Sequence, residues 1–217
     1  MASIFSSMLG RTKVYEPSPR FLHSAAPVGG RCFLWGGRVP DFSASGRKKL
    51  ALTVEIFDPY LEMWEQQATS GVPPPGLYRG VSVSLSNQLY SFGGRDGVSY
   101  YDTLHTLDLV SLDWAEVQVL NQTDGPMRKA GCGMVPYTLD RLALFGGYSI
   151  PTSPTQPGET FTKSTRYTDG REWSNELHIF NVNEGYVSIA FICSLLVCVL
   201  LLDGAYKDSN KLLSEDS

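Results

Sequence analysis

The chain has 217 residues, 42% of them hydrophobic and 12% aromatic, which supplies a sizeable core and excludes a disordered polypeptide. Eighteen Lys and Arg against 22 Asp and Glu give a formal charge of −4, so the broad positive field that non-specific nucleic-acid binding uses is missing and no nucleic-acid partner is expected. Four cysteines, Cys32, Cys132, Cys193 and Cys198, form no CxxC pair and are too sparse for a disulfide scaffold, so they read as reduced thiols of a cytoplasmic protein.

Residues 1–16 form an N-terminal segment with no secretory pattern, because Arg11 and Lys13 follow its short apolar run instead of preceding it. Beyond it the chain repeats itself. Three diglycines, Gly36-Gly37, Gly93-Gly94 and Gly146-Gly147, lie 57 and 53 residues apart, and each follows an apolar run, FLW, LYSF or LALF. A proline opens each unit at Pro19, Pro75 and Pro126. In the first unit Val54 to Asp58 is followed six residues after the aspartate by Trp64, and in the second Leu104 to Asp108 is followed at the same interval by Trp114. These markers divide the chain into repeats at 17–74, 75–125 and 126–184.

Each marker suits a blade of a β-propeller, a four-stranded antiparallel sheet twisted away from a central channel. The apolar run predicts an inner strand buried on both faces, and the stretch ending in aspartate predicts a strand with one wetter face. Glycines at the end of the inner strand take positive φ and let the next blade's backbone come close. Trp64 and Trp114 are expected to cover the seams between blades with the indole N–H turned to a carbonyl.

An apolar run, Gly-Gly, a variable loop, a strand ending in Asp or Asn and then Trp together resemble the kelch repeat. The third loop, from Gly147-Tyr148 through Pro151, Pro154, Pro157, Phe161 and Tyr167 to Trp173-Ser174-Asn175-Glu176-Leu177-His178, looks like the matching blade of the kelch-domain-containing substrate receptors of cullin-RING ubiquitin ligases. That resemblance implies a protein–protein interaction module whose loop face grips a C-terminal peptide degron between aromatic walls and basic residues. Tyr148 and Trp173 match its aromatic pocket positions, with blade-seam packing as the other reading of both. The arginines that hold the carboxylate in such receptors belong to a following blade, and the cullin-binding segment follows the propeller. Neither has a counterpart after residue 184. The alternative is a membrane-held scaffold for actin or trafficking, with no ubiquitin role.

The third repeat runs to Leu177-His178-Ile179-Phe180-Asn181, where the six-residue interval calls for tryptophan at 187 and the chain has Val187. From Tyr186 to Leu202 seventeen residues carry no charge, near the lower limit for a helix that crosses a bilayer. The expected fold is therefore all-β, a partial kelch propeller of three four-stranded blades with the third incomplete, followed by a hydrophobic transmembrane helix at 186–202 and a polar tail at 203–217. A truncated or alternatively spliced product and a helix packed on the open blade edge remain as alternatives. Three blades do not close a ring, so self-association, a partner chain or a missing remainder is expected to complete it.

No catalytic set emerges: GxxxxGK, GxGxxG, HExxH and GxSxG are all missing, and no cofactor or metal is expected. His105 and His178 occupy one repeat position, where the first repeat has Glu55, and read as outward-facing. His23 is aligned with Arg79 and Ala130. Arg38 and Arg95, each directly after a diglycine, join Arg20, Arg79 and Arg128 as candidates for a basic loop face that takes an acidic peptide or a carboxylate terminus, against a reading as scattered solubilising charge. The run Arg47-Lys48-Lys49 reads as a solvated loop tip, and the sequon at Asn121 as a coincidence in a polar turn.

Overall fold

The computed structural model describes residues 15–39, 52–76, 78–119, 125–150, 164–166 and 171–190. The basic run at Arg47, the sequon at Asn121, the prolines of the third loop and residues 191–217 lie outside that set. Every regular element among the described residues is a β-strand.

The first blade orders β1 (Ser24–Val28), β2 (Arg31–Trp35), β3 (Thr53–Asp58) and β4 (Met63–Ala68) side by side, each antiparallel to its neighbour. In the second, β6 (Val81–Leu85), β7 (Gln88–Phe92), β8 (Leu104–Asp108) and β9 (Asp113–Glu116) repeat that order. A short strand β5 (Ser70–Gly71) adds a fifth, parallel to β9, so this blade exceeds the expected four. The third blade orders β10 (Gly133–Thr138), β11 (Arg141–Phe145), β15 (Leu177–Asn181) and β16 (Tyr186–Ala190). Its wide loop carries a small sheet of its own, β12 (Tyr148–Ser149), β14 (Glu172–Ser174) and β13 (Ser164–Arg166). First strands lie innermost: β1 packs on β6, and β6 on β10. The apolar runs before Gly-Gly thus become second strands, each flanked by a partner on either side.

The third blade is complete, which corrects the sequence expectation, and Tyr186–Ala190 is its outer strand where the start of a helix was expected. A shared turn explains why. Asp58 Oδ1 accepts from the N–H groups of Tyr60 and Leu61, Asp108 Oδ1 from Val110 and Ser111, and Asn181 Oδ1 from Asn183 and Glu184, so one side chain folds back on each hairpin. The fourth residue after it, Glu62, Leu112 or Gly185, takes a left-handed φ of 52°, 56° or 69° and returns the chain to its partner strand. The residue at the six-residue interval then stands opposite the one before the Asp or Asn: Trp64 pairs with Phe57, Trp114 with Leu107 and Val187 with Phe180. Val187 therefore holds the tryptophan position, and the register of the repeat is kept.

These plugs face the preceding blade. Trp114 joins Ala26 and Trp35 of the first blade with Leu89 and Leu107 of its own. Val187 joins Leu85, Tyr90, Phe92 and Leu104 of the second blade with Met134, Leu142, Leu144 and Phe180 of the third. Burial of this kind, at about 25 cal/mol per Å² of apolar surface, is what binds blade to blade. The indole N–H groups of Trp35 and Trp114 find no hydrogen-bond partner among the described residues, which for Trp114 is contrary to expectation.

Backbone bonds run across the same seams on the loop side. Arg79 N–H donates to Leu22 O at 3.0 Å and Gly131 N–H to Arg79 O at 2.8 Å. Leu22, Arg79 and Gly131 are equivalent, since Phe21, Tyr78 and Ala130 just before them each bridge to the residue after a diglycine, and all three adopt positive φ. His23 consequently aligns with Gly80 and Cys132, where the sequence suggested Arg79 and Ala130. The alignment accounts for the second glycine of each pair. A Cβ on Gly37 would sit 2.8 Å from His23 Cβ, one on Gly94 2.9 Å from Gly80 N, and one on Gly147 2.4 Å from Cys132 Sγ. The expected approach of the next blade is present at Gly93, where a Cβ would meet Lys129 O at 2.5 Å.

Candidate functional site

The residue after each diglycine emerges on the loop face: Arg38, Arg95 and Tyr148. Their bridges to Phe21, Tyr78 and Ala130 fix the backbone there, so side-chain placement is set by the repeat itself. From these positions an unbroken series of ring contacts crosses the face. The Arg38 guanidinium stands 5.8 Å from the Tyr78 ring centroid, and Arg95 lies 5.8 Å from Tyr78 and 4.9 Å from Tyr100. Tyr100 meets Tyr148 edge-on at 5.9 Å, and Tyr148 meets Trp173 at 5.0 Å. Arg79 and Arg171 approach Tyr148 at 5.6 and 5.5 Å. Each contact is of cation–π or offset aromatic type.

Arg95 is held by its own loop, donating to Gly97 O at 3.0 Å and to the Tyr100 hydroxyl at 3.3 Å. Asp96 shapes that loop by accepting from the N–H groups of Val98 and Ser99 and from the Tyr101 hydroxyl at 3.0 Å. Burial pushes the Tyr100 phenol upward, while the charges of Arg95, Arg171 and Arg79 pull it down. Tyr148 is buried, whereas Trp173, paired with it across β12 and β14, is 43% exposed.

The four residues selected from the sequence, Tyr148, Trp173, Arg38 and Arg95, therefore share one face. Arg79 joins them, but Arg20 and Arg128 do not. Arg20 is buried and pairs with Glu55, while Arg128 pairs with Asp102 at 3.7 Å in solvent. Tyr78, Tyr100 and Arg171 are additional members that the sequence reading did not single out. Tyr78 had a signal, because it follows its opening proline much as Phe21 follows Pro19. Arg171 had only its place two residues before Trp173.

Below this face lies a second set of charged groups at one repeat position. Glu55, His105 and His178 are all buried, which corrects their reading as outward-facing. They lie on the face of each blade that bears the Trp or Val plug, turned from water by neighbouring residues. In the first blade Glu55 pairs with Arg20 and accepts from the Tyr15 hydroxyl at 2.8 Å. In the third, Lys129 stands where Arg20 stands and His178 where Glu55 stands. The Lys129 ammonium is fully buried and has no hydrogen-bond partner among the described residues. Burial lowers its pKa, against the opposing pull of Cys132 and Glu176. Its side chain adjoins Gly147, immediately before Tyr148.

The thiols of Cys32 and Cys132 are unpaired, and burial raises both, Cys132 to about 11, so neither is an activated nucleophile. Among the described residues no three His, Cys, Asp or Glu side chains cluster as a metal site.

Radial four-stranded blades with diglycine turns and an arginine–aromatic loop face define a propeller-type repeat protein built for recognition. The chain belongs to the kelch-repeat family: the family described as the KLHDC2/KLHL20/DRC7 Kelch-repeats domain matches residues 7–147. It is 27% identical over 188 residues to Kelch domain-containing protein 3 of Homo sapiens, covering 85% of this chain and 45% of that protein. Identity to Kelch domain-containing protein 2 of Bos taurus is 29% over 108 residues, 50% of this chain and 26% of that protein. A Dictyostelium discoideum protein named Rho GTPase-activating protein gacHH is 28% identical over 109 residues, 48% of this chain and 7% of its own. The chain thus spans less than half the length of these relatives. Kelch repeats make it a protein–protein interaction module, and the family is generally a non-enzymatic interaction fold.

Proposed function

We propose that the loop face binds a protein segment presenting a carboxylate, with Tyr148 and Trp173 as its aromatic wall and Arg38, Arg79, Arg95 and Arg171 as its charge. The observation that carries this reading is the continuous series of guanidinium and ring contacts from Arg38 to Trp173. A guanidinium lying over a ring keeps N–H edges for a carboxylate, and bidentate pairing of that kind is directional as well as strong. In this reading the chain is the substrate-recognising part of a cytoplasmic ubiquitin ligase, gripping C-terminal degrons. The family match supports the protein-recognition part of this reading.

The test is fluorescence anisotropy with labelled decapeptides, each prepared with a free C-terminal carboxylate and as the amide. Free acids bind, amides bind at least about tenfold more weakly, and Arg95→Ala or Trp173→Ala costs about tenfold, or 1.4 kcal/mol. Equal binding of acid and amide overturns the carboxylate reading. Co-purification of a cullin–elongin assembly supports the ligase role. Recovery in the membrane pellet without that assembly favours the alternative, a scaffold for actin or trafficking held at a membrane. The apolar stretch cited for that anchor loses its first five residues to β16, leaving twelve, fewer than the about 20 a spanning helix needs. No helix among the described residues is long and apolar enough to cross a membrane.

A further inference from the structure

Equivalent positions in the three blades have different exposures, and the differences fall on two faces. The residue before each diglycine is Trp35, Phe92 or Phe145. Trp35 and Phe92 are 1% exposed because the following blade covers them, whereas Phe145 is 48% exposed. On the innermost strands Ala26 is 1% exposed under the second blade, and its equivalent in the third, Val135, is 45% exposed. Phe145 and Val135 thus belong to a face built like those that receive a following blade.

The opposite side of the first blade mirrors this. Trp114 and Val187 are 1% and 2% exposed against the blade before them, while Trp64 in the first blade is only partly buried. Leu107 and Phe180 are covered in the same way, and their equivalent Phe57 is again only partly buried, stacked on Trp64 at 5.0 Å. Cys32 stands where Leu89 and Leu142 are buried. Among the described residues, therefore, one face is a plug without a socket and the other a socket without a plug.

We propose that these faces join between two copies of the chain, the Trp64 face of each resting on the Phe145 face of the other. Two such seams related by a twofold axis close a ring of six blades, inside the range of about four to eight that propellers use. A second copy fits because the interface is already made twice within the chain from the same repeat positions, once at the Trp35–Trp114 seam and once at the Phe92–Phe180 seam. The inference does not depend on what the loop face binds.

Sedimentation velocity of the 217-residue chain tests it, alone and as Phe145→Asp and Trp64→Asp. The unsubstituted chain sediments as a dimer and each variant as a monomer, with far-UV circular dichroism unchanged because both side chains lie outside the intrachain seams. An equimolar mixture of the two variants recovers the dimer, since one seam of the mixed ring then carries neither substitution, and a misfolded chain has no such rescue. A monomeric unsubstituted chain overturns the proposal and assigns the open faces to blades of another polypeptide. A ladder of larger oligomers overturns ring closure, and a dimer that survives both substitutions places the contact elsewhere.

Discussion

The indole of Trp114 lies against that of Trp35 across the first seam, with ring centroids 5.3 Å apart and planes tilted by 58°. Two equivalent markers of the repeat are thus unequal in energy. Trp114 fills a closed seam, while Trp64 stacks on Phe57 and is only partly buried.

Trp114→Ala should therefore cost about 3–5 kcal/mol, as for other buried aromatic truncations. Trp64→Ala should cost about 1–2 kcal/mol, in proportion to the smaller area it buries within one chain. Urea denaturation at a concentration below self-association measures both, and equal losses would contradict the difference in packing.

Val187→Asp separates a blade strand from a membrane segment. An aspartate opposite Phe180, among Phe92, Leu142 and Leu144, places an unpaired charge in an apolar seam. The expected loss is about 3 kcal/mol or more, seen as a lowered melting temperature and faster proteolysis of the third blade. An unchanged melt would remove Tyr186–Ala190 from the fold.

Acid should loosen the seams through His105 and His178. Burial lowers both to about 4, with Lys129 adding to the effect at His178 and Glu176 opposing it at 4.0 Å. In the unfolded chain each titrates near the ordinary value of 6.5. Between those values the unfolded state binds more protons than the folded one, so stability is intact above pH 6.5 and declines as pH falls toward 4. The slope is about 1 kcal/mol per pH unit for each histidine. Urea midpoints at pH 7.5 and 5.0 should differ, and the double variant His105→Gln, His178→Gln should flatten that difference.

Much of this architecture is legible in local chemistry. Diglycine spacing and the six-residue interval from Asp to Trp are products of short turns, in which a side chain reaches its own hairpin and a left-handed residue returns the strand. Such causes act over a few residues and leave marks that survive in one sequence. The loop-face positions Arg38, Arg95 and Tyr148 were legible for the same reason, because each directly follows a diglycine.

Other features depended on how strands pair and blades pack, and there the local pattern misled. Apolar continuity made Tyr186–Ala190 look helical, yet a fully buried strand and a helix give the same run of hydrophobic residues, and only pairing with β15 distinguishes them. Glu55, His105 and His178 looked solvent-facing because they are polar, although their side of the strand is the one that the blade packing closes. Tyr78 and Tyr100 belong to the second repeat and Arg171 to the wide loop of the third, and the two sets adjoin only where Tyr100 meets Tyr148 across the seam. The sequence by itself determined the blade, its turns and its period. Tertiary structure decided which faces are covered, since burial belongs to pairs of blades and no single repeat contains it.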